Sequence, residues 1–301
     1  MTLQQLKYVV TVAKQGTISQ AARLLYISQP TLTNAIKDLE QEIGLTLFLR
    51  TNKGIVVSNE GEEFLGYARS VIEQMEMLED RYINERQHNP RFSVSCQHYS
   101  FAVNAFVDMI REFGGHQYDY TLRETQTYEI IEDVSCLKSE IGILYLCDDN
   151  EIVLNKLLKD NHLVFHLLYT SKPHVFISSK HPLNNKDILT FNDLKEYPYL
   201  SFEQGLHNSF YYSEEILSTY ERNKNIKVRD RATLFNLLIG LNGYTISSGI
   251  IDPELNGENI VSKPLKASQN MRIGYIQKKG LILSRYGEAY IEYLKKHLDI
   301  A

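Results

Sequence analysis

The sequence predicts an all-α winged helix-turn-helix head, a long linker helix, and a C-terminal α/β part folded as two lobes. Three observations predict it. Residues 19–42 carry two short helical patterns joined by a tight connection, residues 60–88 carry one long and narrow apolar seam, and short strand and helix patterns alternate beyond Pro90. With 301 residues, 43% of them hydrophobic, the chain is long enough for more than one buried core.

The first helix begins at a capping box, Thr2-Leu3-Gln4-Gln5, and continues through an expected buried stripe of Leu3, Leu6, Val10 and Ala13 to Gly16. In the second, Ala21, Ala22 and Leu25 form the apolar edge, and Tyr26-Ile27 closes it. Ser28 is placed to cap the third helix, and Pro30 falls in its first turn, where no amide hydrogen is needed. Leu32, Ile36, Leu39 and Ile43 then make one stripe, which Gly44 ends. The opposite face carries Gln29, Thr31, Thr33, Asn34 and Lys37, hydrogen-bonding groups with no acid before Asp38. Such a pair of helices suits a DNA major groove, although helix pairs of this size also occur in proteins that never touch nucleic acid.

The neighbours decide between those readings. Leu45 to Arg50 looks extended, Asn52-Lys53-Gly54 is a turn and Ile55-Val56-Val57 is β-branched, so a hairpin with a basic tip follows the helices. In that place it is a wing, with Arg50 on phosphate and Lys53 at the adjacent minor groove. The formal net charge of the chain is −5, yet residues 1–58 hold six basic side chains against three acidic ones. This excess is modest. Tight binding therefore calls for a dimer, which doubles the phosphate contacts.

Phe64, Ala68, Val71, Met75, Leu78 and Tyr82 follow at spacings of four and three, an a/d seam among Glu, Arg, Gln and Asp. At 1.5 Å per residue that helix is about 40 Å long. It is read as a dimerisation helix. His88-Asn89-Pro90 breaks it, because the residue before a proline is pushed out of α geometry. The expected domains are thus a DNA-binding head at 1–58, a linker helix at 59–89, and an effector-binding part at 90–301. Its first lobe covers about 90–163 and 267–301, and its second about 164–266.

Within that part, strands are expected at Phe92–Ser95, Tyr118–Arg123, Ile141–Leu146, Val164–Tyr169, His174–Ser178, Tyr199–Phe202, Ile226–Val228, Tyr244–Ser247, Ile260–Pro264 and Met271–Ile276. Helices are expected at Phe101–Phe113, Tyr128–Leu137, Phe191–Lys195, Ser209–Tyr220, Ala232–Leu241 and Ser284–His297. Alternation of this kind argues for parallel sheets, whose ligands sit beyond the carboxyl ends of the strands.

Several classes are set aside. No run approaches the ~18 apolar residues of a membrane span, and MTLQQLKYVV has no basic-then-apolar leader, so a cytoplasmic protein is expected. Cys96, Cys136 and Cys147 suggest reduced thiols with no disulfide framework, and Cys96 is read as a buried, inert thiol. His162 and His166 fall at or in a strand without an acidic partner, so no metal is assigned, and no cofactor is expected. No enzyme signature such as G-x-S-x-G, a Walker motif or H-E-x-x-H is present.

In this order, helix-turn-helix, wing, a/d helix, proline break and two α/β lobes resemble a LysR-type transcriptional regulator over the full length. The specific motifs lie in the first 66 residues: Ser19-Gln20-Ala21-Ala22-Arg23-Leu24-Leu25, Ile27-Ser28-Gln29-Pro30-Thr31-Leu32-Thr33, Ile36-Lys37-Asp38-Leu39-Glu40, Leu47-Phe48-Leu49-Arg50 and Gly61-Glu62-Glu63-Phe64-Leu65. The resemblance implies a periplasmic-binding-protein-like effector domain, a homodimer through the linker helix, commonly a tetramer, and double-stranded promoter DNA, a small-molecule effector and RNA polymerase as partners. It carries DNA contacts onto Gln29, Pro30, Thr31, Thr33, Asn34 and Lys37, with Arg50 and Lys53 from the wing. Asn34 and Lys53 depart from the arginines usual at those two positions, and asparagine pairs with adenine where arginine prefers guanine.

Gln97-His98-Tyr99-Ser100-Phe101, Leu122-Arg123-Glu124-Thr125 and Gln204 to Tyr211 are similar to a Gram-positive subgroup that controls methionine and cysteine uptake or synthesis. A sulfur amino acid or a precursor is then the implied effector. The effector positions are Gln97, His98, Tyr99 and Ser100 after the first strand, Thr125 and Thr127 after the second, and Ser201, Phe202, His207, Asn208 and Thr245 on the other lobe. Each hydroxyl alone is as readily an N-cap or turn bond; their convergence makes the site. Two other readings stay open at this level: a metabolite-binding protein without productive DNA binding, and a non-specific architectural DNA protein.

Overall fold

A computed structural model describes residues 1–51, 54–82, 90–251 and 257–298, and the chain divides into two compact units, the first of which holds residues 1–89 and 136–138. In that unit the local signals form as the chemistry dictates. Helix α1 (Leu3–Gln15) starts at the Thr2/Gln5 capping box and stops at Gly16, whose φ of 68° is left-handed. Helix α2 (Ile18–Leu24) is capped by Thr17, and α3 (Gln29–Ile43) by Ser28, whose side chain accepts from Thr31 N–H, with Pro30 in the first turn. Strands β1 (Phe48–Thr51) and β2 (Gly54–Val57) pair antiparallel, and α4 (Asn59–Tyr82) follows.

Val9, Val12, Ala21, Leu32, Ile36, Leu39, Leu47 and Leu65 make the core of this unit. The stripe expected on α1 is corrected: Leu6, Val9 and Val12 are buried, while Leu3 is exposed and Val10 and Ala13 only border the core. On a 3.6-residue period both registers are apolar here, and the valine pair at spacing three is the one that meets α2 and α3. The hairpin is fastened to the helices through Ile55 N–H to Gly16 O at 3.0 Å. Gly54 sits so close that a Cβ would meet the same carbonyl at 2.8 Å. On α4 the seam divides. Of its members Ala68 is buried, Phe64 and Met75 are partly buried, and Val71 and Leu78 are 47% and 55% exposed; the side chain of Tyr82 and residues 83–88 of the expected helix lie outside the described residues.

The second unit opens on a five-stranded sheet of order β4-β3-β5-β12-β6: β3 (Arg91–Cys96), β4 (Asp119–Glu124), β5 (Ile141–Leu146), β6 (Leu163–Ser171) and, named by its place in the chain, β12 (Met271–Lys278). Strand β3 is parallel to β4 and β5, and β12 is antiparallel to β5 and β6. All six residues of β5 are buried, because helices cover both faces. Ile141, Ile143 and Tyr145 join the cluster of α5 (Ser100–Phe113) and the last helix (Arg285–His297), while Leu144 and Leu146 face α6 (Thr127–Ser135) and α7 (Glu151–Asp160).

The other lobe holds β7 (His174–Ser178) between β10 (Thr245–Ser247) and β11 (Ile260–Pro264), both antiparallel to it. It also holds the parallel pair β8 (Tyr199–Phe202) and β9 (Asn225–Val228). Leu200 N–H donates to Tyr244 O at 2.8 Å, which joins the two pieces. Helices α8 (Phe191–Leu194) and α9 (Arg231–Leu241) complete the lobe, and the last helix is α10 in chain order.

Three expectations are corrected. The five-stranded sheet is mixed rather than parallel, since the returning strand β12 runs against its neighbours, and the β10-β7-β11 sheet is antiparallel. Strand β6 pairs along its whole length with β12, so the crossing to the second lobe falls after Ser171 and not near residue 163. Alternating burial identifies a strand and says nothing of its partner. No helix forms over 209–220: two 3-10 turns, Gly205–His207 and Phe210–Tyr212, are followed by turns, and Leu217 takes a φ of 62°. His207 and Tyr212 are held instead against the ring of Tyr128. Helix α7 was not expected, because its apolar side is only Leu154 and Leu158 and its Ile152 is exposed.

Candidate nucleic-acid interface and effector cleft

On α3 the two faces are sharply divided. Leu32, Ile36 and Leu39 are buried, and Gln29, Pro30, Thr31, Asn34 and Lys37 are exposed on the other side. Some of that surface is already committed. Ser19 Oγ donates to Gln29 Oε1 at 2.8 Å, Thr31 shares a hydrogen bond with Ser28, and Thr33, half-buried, donates its hydroxyl to Gln29 O at 2.9 Å. Asn34 and Lys37 have no such ties among the described residues, so their amide and ammonium groups are free donors of the face, beside the Nε2 of Gln29, whose oxygen alone is engaged. Arg50 lies on β1; its side chain and all of Lys53 fall outside the described residues.

Between the lobes of the second unit lies a cleft of two chambers that share His98 as a wall. The inner one has a volume of about 30 Å³ and is bounded by Tyr99 and Ser100 at the start of α5, and across from them by Phe202, Glu214, Glu215 and Thr245. The outer one, of about 410 Å³, lies between Glu124, Thr125, Gln126 and Glu129 on one lobe and Glu203, Leu206 and Arg229 on the other.

Direct bonds cross the cleft. His98 donates its backbone N–H to Glu214 Oε2 at 3.0 Å, places Nδ1 2.8 Å from the same oxygen, and stacks its ring on Phe202 with centroids 3.8 Å apart. Arg231 is paired with Glu124 and Thr127 N–H donates to Gln204 Oε1 at 3.0 Å, while within the second lobe Gln204 Nε2 donates to Glu214 Oε1 at 3.1 Å. Gly205, with a left-handed φ of 54° that favours glycine, lies against the side chain of Gln126, whose amide oxygen would stand 2.6 Å from a Cβ there.

Burial shapes the titration of these groups. It would lower the His98 pKa, but the charge and hydrogen bond of Glu214, with help from Glu124, raise it above the ordinary 6.5. Glu124 is pushed up by burial in spite of Arg231 and His98. Glu215 is pushed well above the usual carboxylate range, first by burial and then by the charge of Glu214. Burial likewise raises the Cys96 thiol well above its ordinary value, which leaves it protonated and inert.

Of the effector positions expected from sequence, His98, Tyr99, Ser100, Phe202 and Thr245 line the inner chamber and Thr125 the outer one. The others do not line either chamber. Gln97 is buried, donates to Thr127 Oγ1 at 2.6 Å and accepts from Tyr99 Oη and Tyr145 N–H, so it ties three elements together behind the wall. His207 is stacked on Tyr128, Asn208 accepts from Lys227 Nζ at 3.0 Å, and Ser201 lies in β8. Sequence reasoning missed Glu124, Glu214, Glu215 and Arg231. An acid beside an acid in an expected helix gives no sign of burial; the one available hint is the run of aromatics around 210–212, which does not suit a surface helix.

Among the described residues no helix is long and apolar enough to cross a membrane, and no group of three or more His, Cys, Asp or Glu is placed to hold a metal.

Comparison with known proteins agrees with this division. Residues 3–62 match the model of bacterial regulatory helix-turn-helix proteins of the lysR family, and residues 87–299 match the LysR substrate binding domain. The HTH-type transcriptional regulator AlsR of Bacillus subtilis is 25% identical over 279 residues, which are 91% of this chain and 85% of that one. A full-length OxyR variant from Pseudomonas aeruginosa shares the fold with a TM-score of 0.65 at 17% identity, over 98% of each chain. CbnR, solved as a complex with target DNA, does so with a TM-score of 0.55 at 17% identity, over 99% of this chain and 100% of that one.

Proposed function

The chain belongs to the LysR family of DNA-binding transcriptional regulators, and we propose that it senses a sulfur amino acid or a precursor of one and reports it to promoter DNA. The observation that carries the DNA half is the α3 face, where Asn34 and Lys37 point free donors outward over a fully buried stripe. In this reading Gln29, Pro30, Thr31, Thr33, Asn34 and Lys37 meet the major groove and the wing holds the backbone. Family membership makes the protein a regulator and not an enzyme. The exposed Val71 and Leu78 on α4 support pairing of two chains through the distal seam, with two such pairs giving a tetramer. Effector binding shifts the population between two angles of the lobes, and so the spacing of the heads and what RNA polymerase meets on the promoter.

The test is a mobility-shift titration of the full chain against its own upstream region and against scrambled DNA, at several salt concentrations. The proposal expects preference for the upstream region and a steep salt dependence. Asn34→Ala should remove about 1–3 kcal/mol of that preference while leaving scrambled-DNA affinity nearly unchanged. Equal binding to both DNAs by the wild type would show an architectural protein instead. Calorimetry with cysteine, methionine, homocysteine and O-acetylserine tests the effector half, and silence across that set would remove the sulfur assignment.

A further inference from the structure

The cleft carries more carboxyl groups than its own cations occupy. Five glutamates line the two chambers, against Arg229, Arg231 and His98. Four of them have side-chain partners: Glu124 with Arg231, Glu203 with Arg229, Glu129 with the hydroxyl of Thr125, and Glu214 with His98 and Gln204. Glu215 differs. Only 3% of it is exposed, its Oε1 accepts from Phe202 N–H at 2.8 Å, its own backbone N–H also bonds the carboxyl and the charge of Arg222 is near, yet among the described residues no side chain donates to it.

A buried carboxyl group without a side-chain donor is a cost to the free protein, since it is either a desolvated charge or an acid held protonated against its nature. Burial together with the neighbouring Glu214 raises its pKa well above the usual carboxylate range. This group forms part of the wall of the inner chamber, whose volume of about 30 Å³ admits a water-sized group such as an ammonium but not a whole metabolite. Beyond the shared wall at His98, the outer chamber of about 410 Å³ has room for the remainder of a small metabolite.

We propose that Glu215 is the ammonium-binding group of the cleft: the effector carries a protonated amine that seats in the inner chamber against Glu215 and beside Glu214, with the rest of the molecule in the outer chamber. The assignment rests on the reading of the cleft as the effector site. An ammonium group there adds a charged donor to a carboxyl that otherwise has only backbone donors, those of Phe202 and of Glu215 itself, and lets both adjacent carboxyls ionise. A ligand whose only charge is a carboxylate brings another negative group to a wall already rich in them. Amino acids and amines therefore qualify as effectors, and plain organic acids do not.

The test is calorimetry on the full chain with matched triplets: an amino acid, its amine without the carboxylate, and its acid without the amine. One set of triplets is built on methionine and homocysteine, another on sulfur-free leucine and norvaline. Amine-bearing members should bind at least about tenfold more tightly than the amine-free acids. Glu215→Gln, which keeps the shape and removes the acid, should level that difference and should melt at or above the wild-type temperature. A folded E215Q protein that keeps the full preference overturns the assignment. So do amine-free acids that bind as well as their partners, an outcome that leaves the cleft an effector site. Amine-dependent binding confined to sulfur-free compounds upholds the assignment and removes the sulfur. Silence of all triplets in the wild-type protein, where no variant is needed, overturns the amine and takes the sulfur reading with it.

Discussion

The head and the cleft are built from opposite kinds of contact. In the head the decisive bonds join near neighbours: Thr2 with Gln5, Ser28 with Thr31, Thr33 with Gln29, each three or four residues apart. In the cleft they join residues more than a hundred apart, His98 with Glu214 and Arg231 with Glu124. The head thus states its chemistry in consecutive residues, while the cleft acquires its chemistry only when two lobes meet. A second contrast follows from the first. The head keeps its free donors on an exposed face over a complete apolar core, and the cleft buries groups that weaken the free protein and become useful with a partner.

Separating the two regions by a core mutation should give the largest effect. Leu32 is fully buried in the centre of the head. Leu32→Ala removes the packing between α2 and α3 and should cost about 2–5 kcal/mol, much of what holds a unit of this size. DNA binding should be lost while calorimetric ligand binding by the same protein stays within about twofold of wild type. Loss of both activities together would show that head and cleft do not act as separate units.

That contrast also explains how much could be read in advance. The capping box at Thr2, the cap at Ser28, Pro30 in the first turn and the glycines at 16 and 44 are local rules, and each appears where the pattern placed it. The α1 stripe slipped because the helix offers two apolar registers and only tertiary packing chooses between them. In the second unit almost every strand was legible as a strand, yet the membership of β6 was not, since its partner β12 lies about a hundred residues further on. The start of α5 was recognised as part of the site from its place after a strand. Glu214 and Glu215 were not, because their pattern reads as a helix, whereas the chain there forms turns, with the rings of His207 and Tyr212 docked on Tyr128 and both acids buried.

The cleft's own contact can be weakened by pH. His98 has its pKa raised, with Glu214, Phe202 and the neighbouring Glu124, Arg231 and Asp230 around it. A raised histidine contributes stability that is complete below its ordinary value of 6.5 and is lost as pH climbs through the raised one. The effector unit should therefore melt at lower temperature as the buffer moves from acid through neutrality to mild alkali. His98→Gln should cost about 1–3 kcal/mol on the acid side, where the ionic hydrogen bond exists. It should also flatten the slope of melting temperature against pH, with the head's transition unmoved. An equal slope in the variant would place the titration elsewhere, with Glu124 and Glu215 as the next groups to replace.

The smallest effect expected sharpens the head alone. Asn34 and Thr33 are adjacent on the recognition face, and by sequence they are equal candidates for contact with bases. The fold makes them unequal. Thr33 gives its hydroxyl to the carbonyl one turn earlier, a bond that satisfies the side chain and slightly disfavours the helix, while Asn34 keeps its amide free. What Thr33 still offers a groove is its methyl group, suited to the methyl of thymine, and alanine presents a methyl as well. Thr33→Ala should therefore change specific affinity by less than about 0.5 kcal/mol, against the larger loss for Asn34→Ala, as measured by titration on the same DNA. A Thr33→Ala loss as large as that of Asn34→Ala would mean that the hydroxyl leaves Gln29 O and turns to a base when DNA arrives, and the head would then be less finished before binding than its local bonds imply.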